Sequence, residues 1–284
     1  AKGLPATAFR FGVPPPEQLE FFGDSEAARL FGKAVQQLEV CGGTKVEIDF
    51  TPFRQAAVLL YSGPWVAERL AVIEQLLEAN PEAVHPTVRT IIAGGGRFTA
   101  VEAFRAGFRL EELRRAAEAE WSRMDVLLTP TAGTTYSRAE VEADPVRLNT
   151  NLGYYTNFVN LLDLCAVAVP AGFRPNGLPF GVTLMAPAFC DAALLELAAS
   201  FHRSQALPAG ATNLSVAELA GFRRPQSGPA SVEIAVVGAH LRGQPLNSQL
   251  TERGGTLVRS AKTSPEYRFY ALAGTVPAKP GLVR

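Results

Sequence analysis

The chain has 284 residues, 47% hydrophobic and 19% charged, enough apolar material for one large domain or two ordinary ones with a sizeable core. Lysine plus arginine and aspartate plus glutamate both number 27, so the formal net charge is zero, and there is no basic excess or stripe of the kind a nucleic-acid binder carries. No run reaches about 18 uninterrupted apolar residues, so no membrane span is expected.

The N-terminus has no charged-then-apolar targeting pattern. Cys41, Cys165 and Cys190 are odd in number, far apart and set in apolar sequence, so they read as reduced core residues of a cytoplasmic protein. The chain starts at Ala1 and stops at Arg284, just after a strand-like, turn-rich run; both ends read as cut, which suggests a fragment.

Residues 1–20 are rich in Pro, Phe and Gly, with Pro14, Pro15 and Pro16 in a row, and predict an extended segment on the surface. Asp24 or Ser25 can cap a helix that carries apolar residues through Val40, and Gly42 and Gly43 end it. Residues 45–50 alternate polar and apolar, as a short strand does. A helix follows from Pro52 and is interrupted at Ser62-Gly63-Pro64, because Pro64 lacks an N–H and fits only the first turn of a new helix. That new helix ends at Asn80-Pro81. A short helix over 87–93 stops at Gly94-Gly95-Gly96, which reads as helix punctuation, since the Lys-Ser/Thr of a phosphate loop is missing. Thr99 and Glu102 form a capping box that opens a long amphipathic helix to about Arg123.

Residues 125–131 predict a buried strand, 131–148 a mobile polar stretch, and 149–162 a helix. Residues 165–169 predict a strand stopped by Pro170. Asn176-Gly177 is a hairpin-type turn, 181–185 the returning strand, and Asp191 the cap of a last helix to about Arg203. Helices alternating with short, continuously apolar strands indicate an α/β fold. Residues 206–230 have linker composition. From Val232 the texture changes to a strand over 232–238, a loop with His240, Gly243, Pro245 and Asn247, a short helix around Gln249, and strand-like runs at 256–258 and 267–272. Three scattered His and three scattered Cys offer no metal-ligand spacing.

Three stretches carry a resemblance. Asp125-Val-Leu-Leu-Thr-Pro-Thr131, then residues 157–172 ending in Val169-Pro170-Ala171-Gly172, then Asn176-Gly-Leu-Pro-Phe-Gly-Val182, resemble the C-terminal half of amidase-signature enzymes. Within that superfamily, Tyr61-Ser-Gly-Pro-Trp-Val-Ala-Glu-Arg69, together with residues 236–241 and Pro245-Leu246-Asn247, look like allophanate hydrolase. The resemblance implies an amidase-signature fold, a mixed sheet covered by helices on both faces, followed by the start of a small α+β domain. It places the amidase portion at 1–205, a linker at 206–230 and the small domain at 231–284.

The resemblance also implies an amidohydrolase that cleaves allophanate to ammonia and carbon dioxide in urea or triazine nitrogen metabolism, with no cofactor and no metal. Family members cut with a Ser–cis-Ser–Lys triad set by a Gly/Ser-rich loop. The sequence contains no such loop and no assignable lysine, so no residue here takes a catalytic role. What remains is recognition. The family reads the substrate carboxylate with a Tyr and an Arg eight residues apart, and Tyr61 and Arg69 fall on those positions; a guanidinium suits a carboxylate because it offers two parallel N–H donors. Taken alone, Tyr61 reads as an aromatic at the core edge and Arg69 as the partner of Glu68 or Glu74. In the family the small domain is linked to decarboxylation of the amidase product, which makes His240 a candidate proton-transfer group. His85 reads as a cap or surface residue and His202 as a cation suited to a helix end. Asn149, Asn151 and Asn157 are read as hydrogen-bonding the loops around the pocket, or, for the first two, as helix caps.

The expected partners are a small-molecule substrate and a second copy of the chain, with neither nucleic acid nor membrane. The strands at Val126, Ala166 and Val182 are expected in one sheet, with a large apolar patch that is either exposed or covered by dimerisation. Other readings are another amidase-signature amidohydrolase, the amidase subunit of a tRNA-dependent amidotransferase, or a non-catalytic scaffold derived from an amidase.

Overall fold

The computed structural model describes residues 4, 8–208, 210, 214, 234–236, 238–262, 264–266, 268–271, 274 and 280–283. The chain divides into two compact units, Ala1–Gly221 and Phe222–Arg284.

The first unit is built on a five-stranded sheet in the order β2 (Gly43–Glu47), β1 (Phe9–Val13), β3 (Val126–Pro130), β5 (Pro179–Pro187), β4 (Leu164–Phe173). β1 runs parallel to both β2 and β3, whereas β3–β5 and β5–β4 are antiparallel, so the sheet is mixed. Alternation along the strands feeds two cores. Val126 and Leu128 of β3 and Val182 and Leu184 of β5 pack with α1 (Ser25–Val40) and α8 (Asp191–Ser204). Leu127 and Met185 point the other way, into a core formed with α2 (Thr51–Ser62) and α5 (Ala100–Trp121) and with the rings of Phe50, Phe53, Tyr155 and Phe158. Between α2 and α5 lie α3 (Trp65–Ala79) and α4 (Pro86–Ala93). Two short helices, α6 (Arg138–Ala143) and α7 (Pro145–Leu152), follow β3.

The sequence reading is corrected at several points. Phe9–Val13 is not a surface segment but an inner strand, with Phe9, Phe11 and Val13 buried. Its Gly12 is required by packing: a methyl group there would lie 2.2 Å from Met124 Sδ. The stretch read as mobile is organised by α6 and α7. Ser137 and Glu140 form a capping box on α6, and the Asp144 side chain accepts from the Arg147 amide at the start of α7. Helix ends at Leu152, and residues 153–163 form successive turns instead of the predicted helix. β4 does not stop at Pro170. It runs on to Phe173 with a register shift at Pro170–Gly172, because β4 is an edge strand and the missing N–H costs no ladder bond there.

Val126, Ala166 and Val182 do share one sheet, but Val126 and Val182 are fully buried and only Ala166 is open, on the edge strand. α2 and α3 form one apolar helical stretch, Thr51–Ala79, of 29 residues, broken at Gly63–Pro64.

In the second unit, a 3₁₀ turn (Gly238–His240) leads to α9 (Ser248–Thr251), and β6 (Arg268–Ala271) pairs antiparallel with β7 (Pro280–Val283). Of the strand expected over 232–238, residues 232, 233 and 237 lie outside the described residues, and 234–236 are not in a strand. Most of the stretch read as a linker also lies outside them. Residues 256–258 are exposed and pair with no strand among the described residues.

Candidate functional site

The break between α2 and α3 arises from three residues. Pro64 has no N–H to continue the ladder. The Gly63 amide closes α2 onto the Leu59 carbonyl at 2.9 Å, and a Cβ on Gly63 would lie 2.5 Å from that same oxygen, so the close approach demands glycine. The chain then restarts as α3 at Trp65. Gly95, in the 3₁₀ turn Gly94–Arg97, packs against the first turn of α3; a Cβ there would be 2.7 Å from the Val66 carbonyl oxygen. The triple glycine is thus punctuation that also seats α3.

Across this break the sequence pair meets. Tyr61 is on the last turn of α2 and Arg69 on the second turn of α3, and the Arg69 guanidinium carbon lies 5.1 Å from the centre of the Tyr61 ring. Tyr61 is 45% exposed and Arg69 half-buried. Among the described residues Arg69 makes no ion pair; neither Glu68 nor Glu74 holds it. A guanidinium over a ring at this distance makes a cation–π contact, and its N–H groups not turned to the ring can donate to a carboxylate.

His240 sits in the second unit, half-buried, its Nε2 3.2 Å from Gln249 Oε1. Asn247 Nδ2 donates to the His240 carbonyl at 2.9 Å, so the residues read from sequence as one loop do hold one another. His85 precedes α4, exposed and without a side-chain cap bond. His202 lies in the last turn of α8, where its buried Nε2 has no hydrogen-bond partner among the described residues. Asn149 Nδ2 donates to the Pro145 carbonyl inside α7, while Asn151 Nδ2 donates to the Tyr136 hydroxyl at 2.8 Å and so ties α7 to the preceding loop. Among the described residues no three His, Cys, Asp or Glu come together as metal ligands would.

Two grooves lie elsewhere in the first unit. One, of about 640 Å³, is apolar and lined by Val13, Pro14, Leu19, Phe31 and Val35; the other, of about 420 Å³, is lined by Phe22, Tyr136, Arg147 and Asn151. Neither includes Tyr61 or Arg69, which sit on an open helical surface. Sequence reasoning missed the second groove, although Ser137-Arg-Ala-Glu140 carries the same capping signature as Thr99–Glu102. Phe22, on its wall, has a left-handed backbone (φ 54°) and meets the Tyr154 ring edge-on at 6.0 Å. Two residues after Phe22, Asp24 caps α1 through the Ala27 amide and accepts from Arg174 and from the Thr134 hydroxyl. Burial pushes the Asp24 carboxyl up, but those three donors together hold it below the usual carboxylate range.

Mixed sheet, helices on both faces and a separate small unit define an α/β architecture followed by a small appended domain. Residues 5–195 match the family model described as Amidase, and residues 232–284 match the one described as Allophanate hydrolase C-terminal domain. The chain belongs to the amidase family. It is 40% identical over 280 residues to urea amidolyase of Lachancea kluyveri and 40% identical over 287 residues to that of Saccharomyces cerevisiae. In each case 95% of this chain matches but only 15% of the relative, so the chain spans less than a fifth of those proteins. Among solved structures, Kluyveromyces lactis allophanate hydrolase superposes with a TM-score of 0.70 at 36% identity, over 99% of this chain and 47% of that one. A bacterial aryl acylamidase of the amidase-signature family superposes with a TM-score of 0.53 at 16% identity, over 70% of this chain and 44% of that one, a likeness of fold alone.

Proposed function

We propose that the chain is the carboxylate-recognition portion of a cytoplasmic amidohydrolase that cleaves allophanate to ammonia and carbon dioxide during urea degradation. The Ser–cis-Ser–Lys machinery lies in this reading on polypeptide outside these 284 residues. The observation that carries the reading is the cation–π contact of Arg69 with Tyr61 across the Gly63–Pro64 break. A neutral-amide amidase has no use for a guanidinium that lies over a tyrosine ring and, among the described residues, pairs with no carboxylate; an enzyme for allophanate, with a carboxylate next to its scissile amide, does. The guanidinium donates to that carboxylate, the Tyr61 hydroxyl adds a further donor, and together they fix which end of the substrate faces the nucleophile. The likeness to the Kluyveromyces lactis allophanate hydrolase and the match of residues 232–284 favour allophanate over other amides. The small second unit takes the product onward, with His240 as its candidate proton-transfer group. The protein works as a homodimer.

The test has two arms. The reading frame encoding the chain is sequenced upstream of Ala1, where a Gly/Ser-rich loop and a lysine are expected; a native start codon there would support a non-catalytic scaffold instead. Ammonia release from allophanate is then measured with the whole gene product and with the 284-residue chain. Release by the former only is expected, and release by the chain alone would contradict the division of labour.

A further inference from the structure

α3, the helix that carries Arg69, is 15 residues long and buries a single one of them, Val66 on its first turn. Its other residues are half-buried or exposed. A helix in a protein is held chiefly by the packing of its buried face, so α3 takes its place from the contacts of that first turn.

Two contacts act there. On one side is the Gly63–Pro64 break, where the Ala67 amide donates to the Pro64 carbonyl at 2.8 Å. On the other is the 3₁₀ turn Gly94–Arg97, whose buried Gly95 lies against the backbone of Val66 and Ala67. A Cβ on Gly95 would stand 2.7 Å from the Val66 carbonyl oxygen, 2.8 Å from Ala67 Cα and 2.9 Å from the Ala67 nitrogen. All three are backbone atoms, so no side chain can swing aside. Ordinary van der Waals contact begins near 3.4 Å, so α3 or the turn would have to give way by more than half an ångström. The neighbouring glycines differ. A Cβ on Gly94 meets nothing within 4 Å, and one on Gly96 meets only Leu70 Cδ2 at 3.5 Å. Gly94 also has a φ of −61°, open to any residue. Of the three, only Gly95 is demanded by its surroundings.

The contact reaches the carboxylate pair in one step. In an α-helix the Val66 carbonyl accepts from the amide of Leu70, the residue after Arg69. A displaced first turn therefore carries Arg69 with it, while Tyr61 stays on α2, which is held by its own buried residues Phe53, Ala56 and Ala57. The guanidinium carbon lies 5.1 Å from the ring centre, and such contacts fade beyond about 6 Å. We propose that Gly95 is a positioning residue for carboxylate recognition. By admitting the α3 backbone to close contact, it sets Arg69 over Tyr61 and fixes where the guanidinium meets the substrate. This rests on the carboxylate reading above and adds what holds the pair in register.

Steady-state kinetics of the complete enzyme, with allophanate and with a neutral amide of similar size, test this. Gly95→Ala should raise KM for allophanate roughly tenfold, leave kcat within about twofold and spare the neutral amide. Gly94→Ala and Gly96→Ala, in the same turn, should match the unaltered enzyme. Adding Gly95→Ala to Arg69→Ala should cost nothing further, because the glycine acts only through the arginine. If Gly95→Ala does not fold, Val66→Ala, which loosens the same contact from the helix side, takes its place in each comparison. Equal losses on both substrates, no loss on either, or a full extra loss on top of Arg69→Ala would overturn the inference and leave the carboxylate reading standing. An effect of Gly94→Ala or Gly96→Ala as large as that of Gly95→Ala would also overturn it, since the turn as a whole and not this contact would then be responsible. An Arg69→Ala that affects both substrates alike would overturn the carboxylate reading, and this inference with it.

Discussion

Arg174 reaches from the β4–β5 hairpin to the carboxylate of Asp24 at the first turn of α1, and both side chains are largely buried, 8% and 15% exposed. The same Asp24 oxygen accepts from Thr134, and its other oxygen accepts from the Ala27 amide. One carboxylate therefore joins the helix start, the loop after β3 and the hairpin. Removing the arginine leaves a buried carboxylate without its charge partner. Arg174→Met should destabilise the first unit by about 3 kcal/mol in urea unfolding. Asp24→Ala loses the cap as well and should cost more. A loss near zero for Arg174→Met would show that the pair is ornamental.

The pair also sets a pH dependence. Asp24 and Asp125 are both held below the ordinary carboxylate range. In each, burial pushes the carboxyl up and hydrogen bonds outweigh it, from Ala27, Arg174 and Thr134 to Asp24 and from the Arg10 side chain and amide to Asp125. A carboxyl depressed in the folded state stabilises it above the unfolded pKa of 3.8, and that contribution is lost as pH falls through the folded value. Thermal unfolding should thus vary little between pH 7 and pH 5 from these groups and drop steeply below about pH 4. Arg174→Met should make that acid limb shallower; an unchanged limb would contradict the assignment.

Tyr155 is fully buried, and its hydroxyl donates to the Glu20 carbonyl at 3.0 Å and accepts from the Glu20 amide at 2.7 Å. Burial pushes its phenol well above the usual value, so it stays a neutral donor throughout the working range. Tyr155→Phe keeps the ring in its aromatic cluster and strands two backbone groups. The expected loss is about 1–3 kcal/mol. Faster amide exchange around Glu20 would locate it.

β4 presents an apolar edge in which Ala166, Ala168 and Pro170 are exposed. Edge strands without charge or cover invite pairing with other chains. Ala168→Lys should raise the concentration at which the chain aggregates while leaving its melting temperature nearly unchanged, as read by light scattering alongside calorimetry.

Most helices were legible because their ends are written in side chains. Asp24 before α1, Thr99 with Glu102 before α5, and Gly63–Pro64 between α2 and α3 each name a terminus by local chemistry. The strands and loops that escaped depend on distant partners. Phe9–Val13 contains an arginine and a glycine and looks irregular, but Arg10 is held by Asp125, 115 residues away, and Gly12 makes room for Met124. Pro170 stops a strand only where a neighbour needs its N–H, and the edge position of β4 is not visible in sequence. At the candidate site, the eight-residue spacing of Tyr61 and Arg69 was readable, whereas the contact between them depends on how the chain turns at Gly63–Pro64. The clamp of Asp24, Thr134 and Arg174 spans 150 residues and left no local trace.

The central claim is that Tyr61 and Arg69 read a carboxylate. The direct measurement is steady-state kinetics of Arg69→Ala in the complete enzyme, with allophanate and with a neutral amide of similar size. Loss of a charge-assisted contact of about 1.5–3 kcal/mol should raise KM for allophanate about 10- to 150-fold and leave the neutral amide nearly unaffected. Equal losses on the two substrates would contradict the account.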